Sequence, residues 1–248
     1  MDKYKKTYVI KSYECDFKVK LRVRSLFNLF QDIADEHADN MGLGYTYCHE
    51  RGIGWIGGSY HVIVHHWPTW GDVVDMSTWP SGATAATGIR DFSVSDKDGK
   101  TVIQATSQWV LVDTNRMRPI PVLKHIPTYE LVADHALISN FDKIKTPDTE
   151  PENKSFPVRI DDIDLNNHVN NALYPTWALD GLSDDFLRTH TLSEIQVSFK
   201  RPARYRDEIV LQSWLLPTET IHVMTNSDKT IEYARVRLVW KQEDNHES

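Results

Sequence analysis

Cysteine, net positive charge and long apolar runs are all scarce in this chain of 248 residues, and each scarcity excludes a class of protein. Only two cysteines are present, Cys15 and Cys48, and their spacing is not that of a metal site. We therefore expect reduced thiols rather than a disulfide framework. The formal net charge of −7 argues against a nucleic-acid-binding protein, which normally has a basic balance or a dominant basic face.

Apolar stretches are short along the whole chain. The N-terminal run MDKYKKTYVIKSYE places lysines among single apolar residues, unlike the continuous apolar core of a signal peptide, and no later stretch approaches membrane-spanning length. These patterns predict a cytoplasmic protein with no membrane partner. With 40% hydrophobic residues, the chain can bury a full core as one large domain or as two domains of about 120 residues.

Two halves of the chain have the same predicted order of elements. In the first half, TYVIKSYECDFKVKLRV is extended, SLFNLFQDIADEHADNMG has apolar residues at helical spacing, and β-rich segments follow. From about Phe156, an extended entry, a polar loop, a helix from Leu173 to Leu187 and further β-rich segments return in that order. The run PTWGDVVDMSTW also resembles ARYRDEIVLQSW, which supports an internal repeat.

A long helix followed by a strongly curved antiparallel sheet that wraps it is the hotdog arrangement. Two such units predict an α+β fold of the tandem, or double, hotdog class, with two independent α+β domains as the alternative. We predict a first hotdog over residues 1–126 and a linker over residues 127–152 that is rich in Asp, Pro, Lys and Thr. A second hotdog over residues 153–248 would contain the polar loop.

The run RIDDIDLNNHVNNALYPTW, residues 159–177, has the clearest functional pattern in the chain. It places Asp164, Asn166 and His168 at alternate positions ahead of the second predicted helix. Asp164 can act as base or nucleophile, Asn166 can hold a water or a carbonyl, and His168 can move a proton near neutral pH. Unpaired N–H groups at the start of the helix would polarise a carbonyl. This combination suits hydrolysis of an activated acyl group.

Two other interpretations of this run compete with catalysis. The first treats its Asp and Asn residues as turn-formers and helix caps. The second is a calcium loop, because Asp162, Asp164 and Asn166 have the one-three-five spacing of an EF-hand. However, Asn167 stands where that loop needs Gly and Leu173 where it needs a bidentate Glu, which excludes a calcium site.

Histidines elsewhere do not form a metal site either. His61 and His65 lie on a predicted strand, where four residues span about 13 Å, which is too far for two ligands of one zinc ion. We therefore predict no metal and no cofactor.

Several longer segments resemble those of a known family: IKSYECD, HHWPTWGDVVDMSTWPSG, IRDFSVSD, TSQWVLVDTNRMRP and DIDLNNHVNNALYPTW. They are similar to segments of the acyl-acyl carrier protein thioesterases of plant plastids and their bacterial relatives, over nearly the whole chain. The resemblance implies hydrolysis of fatty acyl-acyl carrier protein thioesters, which ends fatty acid biosynthesis. It also implies that Asp164, Asn166 and His168 fall on the D-x-N-x-H catalytic motif of that family.

One position departs from the family. The resemblance implies a second acid, a Glu sometimes followed by Cys, in the strand after the helix, but VSFKRPARYRD has Pro202 and Ala203 there. Either Glu194 or Asp207 serves in another register, or Asp164 works without a second carboxylate. We do not assign Glu194, because strand residues rise about 3.3 Å each and it would lie far from Pro202.

The mechanism and the substrate each remain open between alternatives. Asp164 either activates a water together with His168 or attacks the thioester first to give an anhydride. Acyl-coenzyme A is the nearest rival substrate, because the fold does not fix the carrier. A non-catalytic acyl-binding sensor on the same fold is a further alternative, although such a protein would have little reason to keep Asp164, Asn166 and His168 together.

The segment FKVKLRVR, residues 17–24, alternates apolar and basic side chains, namely Phe17, Val19, Leu21 and Val23 against Lys18, Lys20, Arg22 and Arg24. An extended segment with this alternation would have one buried face and one positive face. The positive face would be either a charged edge that discourages aggregation or a dock for an acidic partner such as acyl carrier protein. A homodimer is also compatible with the sequence.

Overall fold

The computed structural model describes residues 3–126 and 130–243. Residues 127–129 of the predicted linker, residues 244–248 of the predicted second hotdog and residues 1–2 lie outside the described residues. The chain divides into two compact units, Met1–Asn140 and Phe141–Ser248.

The first unit is an antiparallel sheet with one long helix. Its strands are β1 (Tyr4–Val9), β2 (Ile53–Val64), β3 (Val73–Ala83), β4 (Thr87–Ser95), β5 (Thr101–Asp113) and β6 (Arg118–Pro119). The order is β1-β3-β4-β5-β2, with β6 beside β5. The helices are α1 (Val23–Asn40), α2 (Tyr45–Glu50) and α3 (Val122–His125). At the β4–β5 turn, Gly99 follows Asp98 and has φ of 78°, a conformation that glycine adopts without strain.

Helix α1 forms because its apolar residues recur at helical spacing and are buried against the sheet. Leu26, Phe30 and Ile33 are almost completely buried, and the ring of Phe30 lies 4.6 Å from that of Phe92 on β4. Burying each such side chain contributes about 1.5–3 kcal/mol. The helix ends just before Gly42, which takes φ of 67°.

The second unit has shorter helices and a five-stranded antiparallel sheet. Its strands are β7 (Glu152–Pro157), β8 (His190–Phe199), β9 (Glu208–Leu215), β10 (Glu219–Thr225) and β11 (Glu232–Gln242), in the order β8-β11-β10-β9-β7. The helices are α4 (Leu173–Leu179) and α5 (Asp184–Thr189). Leu173, Tyr174 and Trp177 on α4 are buried, and α4 packs against β8, β9 and β11.

The prediction of one continuous helix from Leu173 to Leu187 is wrong. Gly181 lies so close to β9 that a Cβ atom there would meet Ser213 Oγ at 2.3 Å. Ser183 then caps α5, because its Oγ accepts a hydrogen bond from Phe186 N at 3.1 Å. The apolar spacing runs through both short helices, and the tight approach at Gly181 together with the Ser183 cap separates them.

The predicted burial of the 17–24 segment is also wrong in its first half. Phe17 is 56% exposed and Val19 is 49% exposed, whereas Lys18 and Lys20 are partly buried. The chain forms a tight turn instead of a strand, with Val19 at φ of 61°. Leu21 is buried as expected, and α1 has already begun at Val23.

The connecting segment is anchored at both ends by equivalent tryptophans. Trp79 Nε1 donates to the carbonyl of Asp134 at 2.7 Å in the first unit, and Trp214 Nε1 donates to the carbonyl of Thr149 at 2.6 Å in the second. Ile144 packs with Trp214 in a buried apolar cluster. The described part of the segment therefore packs on one unit and then on the other.

Both cysteines are buried free thiols. Among residues 3–126 and 130–243, no helix is both long enough and apolar enough to cross a membrane.

A buried histidine in the second sheet makes stability depend on pH. His222 is bonded at 2.9 Å through Nδ1 to Ser213 Oγ and at 2.9 Å through Nε2 to Thr220 Oγ1. Burial lowers the pKa of His222 to about 3. An unfolded histidine has a pKa of about 6.5, so below that pH the unfolded chain binds a proton that the folded chain excludes. The contribution of His222 to stability is therefore complete above pH 6.5 and is lost as the pH falls towards 3.

We accordingly expect urea unfolding to separate wild type from His222→Gln most clearly at pH 7.5. The difference in unfolding free energy should shrink by about 2 kcal/mol on going to pH 5, since each proton contributes about 1.4 kcal/mol per pH unit. A difference that stays constant between the two pH values would contradict a neutral buried His222.

Candidate active site

The loop that contains Asp164, Asn166 and His168 is a closed turn. Asp164 N donates to the His168 carbonyl at 2.8 Å, and Asn167 N donates to the Asp164 carbonyl at 3.0 Å. Ile163 and Val169 form the adjacent antiparallel bridge, and Asn167 takes φ of 61° at the tip. Asp164 and His168 are therefore opposed across the turn, where side chains of facing residues are about 5 Å apart at Cβ.

An equivalent loop occurs in the first unit. We call residues 11–22 the first-half loop and residues 159–170 the second-half loop. The second-half loop has six backbone bonds from N–H to carbonyl: Asp162 to Arg159, Ile163 to Ile160, Asp164 to His168, Asn167 to Asp164, Val169 to Ala203 and Asn170 to Asp162. The first-half loop has the same six at matching positions: Glu14 to Lys11, Cys15 to Ser12, Asp16 to Lys20, Val19 to Asp16, Leu21 to Pro68 and Arg22 to Glu14. The internal repeat thus extends to individual hydrogen bonds.

A comparison of the two loops distinguishes the residues that form the turn from those that the turn does not require. Asp164 Oδ1 accepts from Asn166 N at 2.8 Å, as Asp16 Oδ1 accepts from Lys18 N at 2.8 Å. The aspartate at this position therefore stabilises the turn in both units. Asn166 and His168 are not repeated in the first-half loop, which has Lys18 and Lys20 at the matching positions. The turn-former and cap interpretation is correct for Oδ1 of Asp164 and for Asn170, whose Oδ1 accepts from Ala172 N, but it does not account for the amide of Asn166 or the imidazole of His168.

The side chains of the trio are accessible. Asn166 is exposed, and Asp164 and His168 are partly exposed. Within the described residues, neither the Asn166 amide nor the His168 imidazole has a hydrogen-bond partner, and Oδ2 of Asp164 has none either. One carboxylate oxygen, one imidazole and one amide are thus available to a substrate or a water at the same turn.

The start of α4 differs from the sequence-based prediction of unpaired N–H groups. Ala172 N donates to Asn170 Oδ1 at 2.9 Å, and Leu173 N donates to the Asn170 carbonyl at 2.9 Å. Pro175, in the first turn of α4, has no N–H group. Asn170 therefore satisfies two of the donors at the start of the helix, the N–H groups of Ala172 and Leu173, which were expected to polarise a carbonyl.

Tyr174 lies beside the second-half loop, although its helical spacing alone marks it only as an apolar position. Its side chain is buried, and its Oη accepts a hydrogen bond from Ala203 N at 3.0 Å. Burial raises the pKa of Tyr174, and the nearby carboxylates of Asp207 and Asp164 raise it further. Tyr174 thus ties α4 to the segment beside the loop as a neutral hydroxyl. Because a buried tyrosine hydroxyl usually has a hydrogen-bond partner, the sequence could have predicted a polar contact for Tyr174.

Neither proposed substitute for the second acid is a free carboxylate. Glu194 Oε1 accepts from Arg237 Nη1 at 2.8 Å and from Gln196 Nε2 at 3.1 Å. Asp207 Oδ2 accepts from Arg204 N at 2.9 Å and from Tyr233 Oη at 3.2 Å. The first unit has the same turn as Asp207 forms, since Asp72 Oδ2 accepts from Thr69 N at 2.7 Å. The hydrogen bonds of Glu194 and Asp207 therefore give both carboxylates a structural role.

Pro202 and Ala203 lie beside the loop in place of an acid. The Ala203 carbonyl accepts from Val169 N at 2.9 Å, and Ala203 is completely buried. Of the three acids in the second-half loop, Asp161 and Asp162 lie in the 3-10 turn Ile160–Asp162, where Asp162 Oδ2 accepts from Arg159 N at 2.7 Å, and Asp164 is the acid opposite His168. Across residues 3–126 and 130–243, no three His, Cys, Asp or Glu side chains are grouped closely enough to hold a metal ion.

Family models match both halves of the chain. The model for the acyl-ACP thioesterase N-terminal domain matches residues 1–129, and the model for the C-terminal domain matches residues 145–242.

Curated plant relatives are similar over most of this chain. It is 31% identical to the palmitoyl-acyl carrier protein thioesterase of Gossypium hirsutum over 224 residues, which are 85% of this chain and 54% of the relative. It is 25% identical to the oleoyl-acyl carrier protein thioesterase 2 of Arabidopsis thaliana over 246 residues, which are 91% of this chain and 66% of the relative. Both relatives are described as chloroplastic. The chain thus spans between about half and two thirds of the length of these relatives.

Solved structures share the fold over nearly the whole chain. The 12:0-ACP thioesterase from Umbellularia californica has a TM-score of 0.86 at 25% identity, covering 97% of this chain and 98% of that structure. An acyl-ACP thioesterase from Bacteroides thetaiotaomicron has a TM-score of 0.88 at 20% identity, covering 96% and 98%. The predicted α+β tandem hotdog class is confirmed.

The two loops provide a matched test of the structural role of their aspartates. Asp16 Oδ1 accepts two backbone N–H groups, from Lys18 at 2.8 Å and Lys20 at 3.0 Å, whereas Asp164 Oδ1 accepts one. Each such bond contributes about 0.5–1.5 kcal/mol. Asp16→Ala should therefore lower the free energy of unfolding more than Asp164→Ala, and both Asn variants should lose less because the amide oxygen still accepts. Denaturant titration measures this order, and equal losses for the Ala and Asn variants would contradict it.

Proposed function

Because this chain belongs to the acyl-ACP thioesterase family, we propose that it hydrolyses fatty acyl thioesters of acyl carrier protein, releasing a free fatty acid and holo acyl carrier protein. The observation that carries the proposal is the second-half loop. It keeps the backbone frame of the first-half loop but has an amide and an imidazole, Asn166 and His168, where that loop has two lysines.

In the proposed reaction, Asn166 holds both reactants. A side-chain amide has one oxygen acceptor and two N–H donors, so Asn166 can accept a hydrogen bond from water and donate one to the thioester carbonyl. This assignment is supported by Asn170, which already accepts from the N–H groups of Ala172 and Leu173 at the start of α4. One donor to a developing oxyanion contributes about 10²–10³ in rate.

Asp164 and His168 act as the base. The water gives a proton to this pair as its oxygen attacks the thioester carbon, and a tetrahedral oxyanion forms. When that intermediate collapses, the carbon–sulfur bond breaks, and the departing thiolate takes the proton back from the pair. The products are the fatty acid and the free thiol of the carrier, and no acceptor other than water is required.

An anhydride route is the alternative, in which Asp164 attacks the thioester directly. The free Oδ2 of Asp164 would be the attacking atom. Turnover in ¹⁸O-labelled water tests for the anhydride route, because water that opens an anhydride at the aspartyl carbon leaves label in Asp164, whereas opening at the fatty acyl carbon labels only the fatty acid. We expect mass spectrometry to find label in the fatty acid alone, and labelled Asp164 would replace the water route with the anhydride route.

The first-half loop supplies the control for an activity test. Asp164→Asn removes the carboxylate but keeps an oxygen for the turn, so kcat/KM for thiol release should fall by about 100-fold or more, as expected for loss of a general base. His168→Gln should have a similar effect. Asp16→Asn makes the same change in the equivalent turn and should stay within about threefold of wild type, because Asp16 has no catalytic neighbours.

Retention of more than about a tenth of wild-type kcat/KM in folded Asp164→Asn would exclude the site, because a tenfold loss corresponds to only about 1.4 kcal/mol. A comparable loss in Asp16→Asn would instead show that the turn frame, and not the chemistry, was measured.

Carrier choice separates the proposal from acyl-coenzyme A hydrolysis. With one acyl chain on both carriers, we expect kcat/KM to be at least about tenfold higher for acyl carrier protein at low salt. The advantage should shrink with added salt, because screening weakens attraction between exposed charges. Equal or greater activity on acyl-coenzyme A would favour that rival, and binding of both without turnover would favour a non-catalytic sensor.

The structure differs from the prediction at the segment that was expected to dock an acidic carrier, residues 17–24. Of the four basic residues of the 17–24 segment, Arg22 and Arg24 are exposed, whereas Lys18 and Lys20 are partly buried. The continuous positive face that an extended strand would have is therefore absent from this described segment.

We further propose a cytoplasmic location. It is supported by the two unpaired thiols, Cys15 and Cys48, which suit a reducing compartment. Cell fractionation tests it, and recovery in an oxidising compartment would refute it.

A further inference from the structure

A dense run of positive charge in the second unit is KRPARYR, residues 200–206. Four of these seven residues are Lys or Arg and none is acidic, in a protein with a formal net charge of −7. The run connects β8 to β9, and Arg201, Arg204 and Arg206 are exposed. Turn formation does not explain three arginines here, since the equivalent turn of the first unit is WPTWGD.

These three arginines line an open cleft of about 550 Å³ within the second unit. Pro202 lies on the same side, and the facing side is formed by the β10–β11 turn at Asn226 and by Ile231. The cleft thus combines a cationic rim with apolar patches, as a site for a ligand with an anionic end and an apolar stem requires.

The guanidinium groups are only partly offset by neighbouring acids. Two carboxylates, Asp207 and Glu208, also line the cleft, so that the three arginines leave its lining with a net charge of +1. In the described part of the chain, none of the three arginine side chains forms an ion pair. Arg206 lies near the Tyr205 ring, with Cζ 5.0 Å from its centroid. An anion in the cleft would therefore meet a net positive charge, carried by guanidinium groups that form no ion pair among the described residues.

The cleft adjoins the candidate active site through one residue. Ala203 accepts from Val169 N of the second-half loop at 2.9 Å, and its own N–H donates to Tyr174 Oη at 3.0 Å. Pro202, which precedes Ala203 in the chain, lines the cleft. The second-half loop and the cleft are therefore neighbours, separated by the buried Ala203.

We propose that this cleft binds the phosphate of the 4′-phosphopantetheine arm on which the acyl group is presented. The inference rests on the proposed function, because it takes the substrate to be a thioester of that arm. Arginine is suited to the role, since its planar guanidinium makes paired, charge-assisted hydrogen bonds to phosphate oxygens. Acyl carrier protein and coenzyme A share this phosphate, so the cleft serves either carrier.

The test compares three substrates with one acyl chain: acyl carrier protein, acyl-coenzyme A and acyl-pantetheine, which lacks the phosphate. In Arg201→Gln/Arg204→Gln, we expect KM to rise by at least about tenfold for the two phosphate-bearing substrates, a change that corresponds to loss of about one charge-assisted bond. The activity on acyl-pantetheine and kcat on all three substrates should stay within about twofold of wild type.

The matched control is Lys97→Gln/Lys100→Gln, which removes two exposed positive charges at the β4–β5 turn of the first unit. It should leave all three KM values unchanged and so exclude an effect of net charge alone. An unchanged KM in the arginine variant, or an equal loss on acyl-pantetheine, would overturn the proposal. A loss confined to the carrier protein substrate would also overturn it, because the arginines would then contact the protein and not the phosphate.

A binding measurement keeps this inference separate from catalysis. By calorimetry, wild type should bind phosphopantetheine at least about tenfold more tightly than pantetheine, and the arginine variant should lose that preference. If wild type hydrolyses none of the three substrates, the proposed function fails while this comparison still decides what the cleft binds. Equal affinity of wild type for both compounds would reject the phosphate site.

Discussion

One hydrogen bond, from Asn166 N–H to Oδ1 of Asp164, organises the region on which the proposed chemistry depends. It fixes the aspartate with one oxygen turned into the loop and leaves the other available. It also holds the turn closed, so that His168 faces Asp164 across the backbone bond between them. A longer or looser loop would let these side chains separate, and each would then have to be positioned by packing of its own. Here the backbone turn positions all of them.

The internal repeat shows how far a frame can be kept while its chemistry changes. Six backbone bonds and the aspartate are the same in the two loops, because they are what a turn of this shape requires. Lysines occupy the two other positions of the first-half loop, where the backbone makes no demand on the side chain. The segments after the loops diverge as well: α1 runs on for 18 residues, whereas α4 ends after seven.

Much of the fold and of the candidate site follows from local sequence. The errors arise where contacts between residues far apart in the sequence determine the local structure. The order of elements in each half, the long α1 and the position of the Asp164 loop are readable from periodicity and turn chemistry. The break at Gly181 is not, because it depends on the approach of β9. The exposure of Phe17 and Val19 was missed because alternation resembles a strand even where Asp16 turns the chain. Tyr174 was missed because helical spacing does not distinguish a buried ring from a buried hydroxyl.

The two tryptophan anchors of the connecting segment bear on how the chain can be divided into fragments. Trp79 is 1% exposed and is bonded to Asp134, so a first fragment that ended before Asp134 would leave a buried indole N–H without its acceptor. A second fragment that began after Thr149 would do the same to Trp214 and would remove Ile144 from its cluster. An orphaned buried donor costs about 1–3 kcal/mol, a large share of the stability of a small domain. Each half thus includes its own stretch of the connection as part of its folded body, and the natural point of division lies between the two anchors.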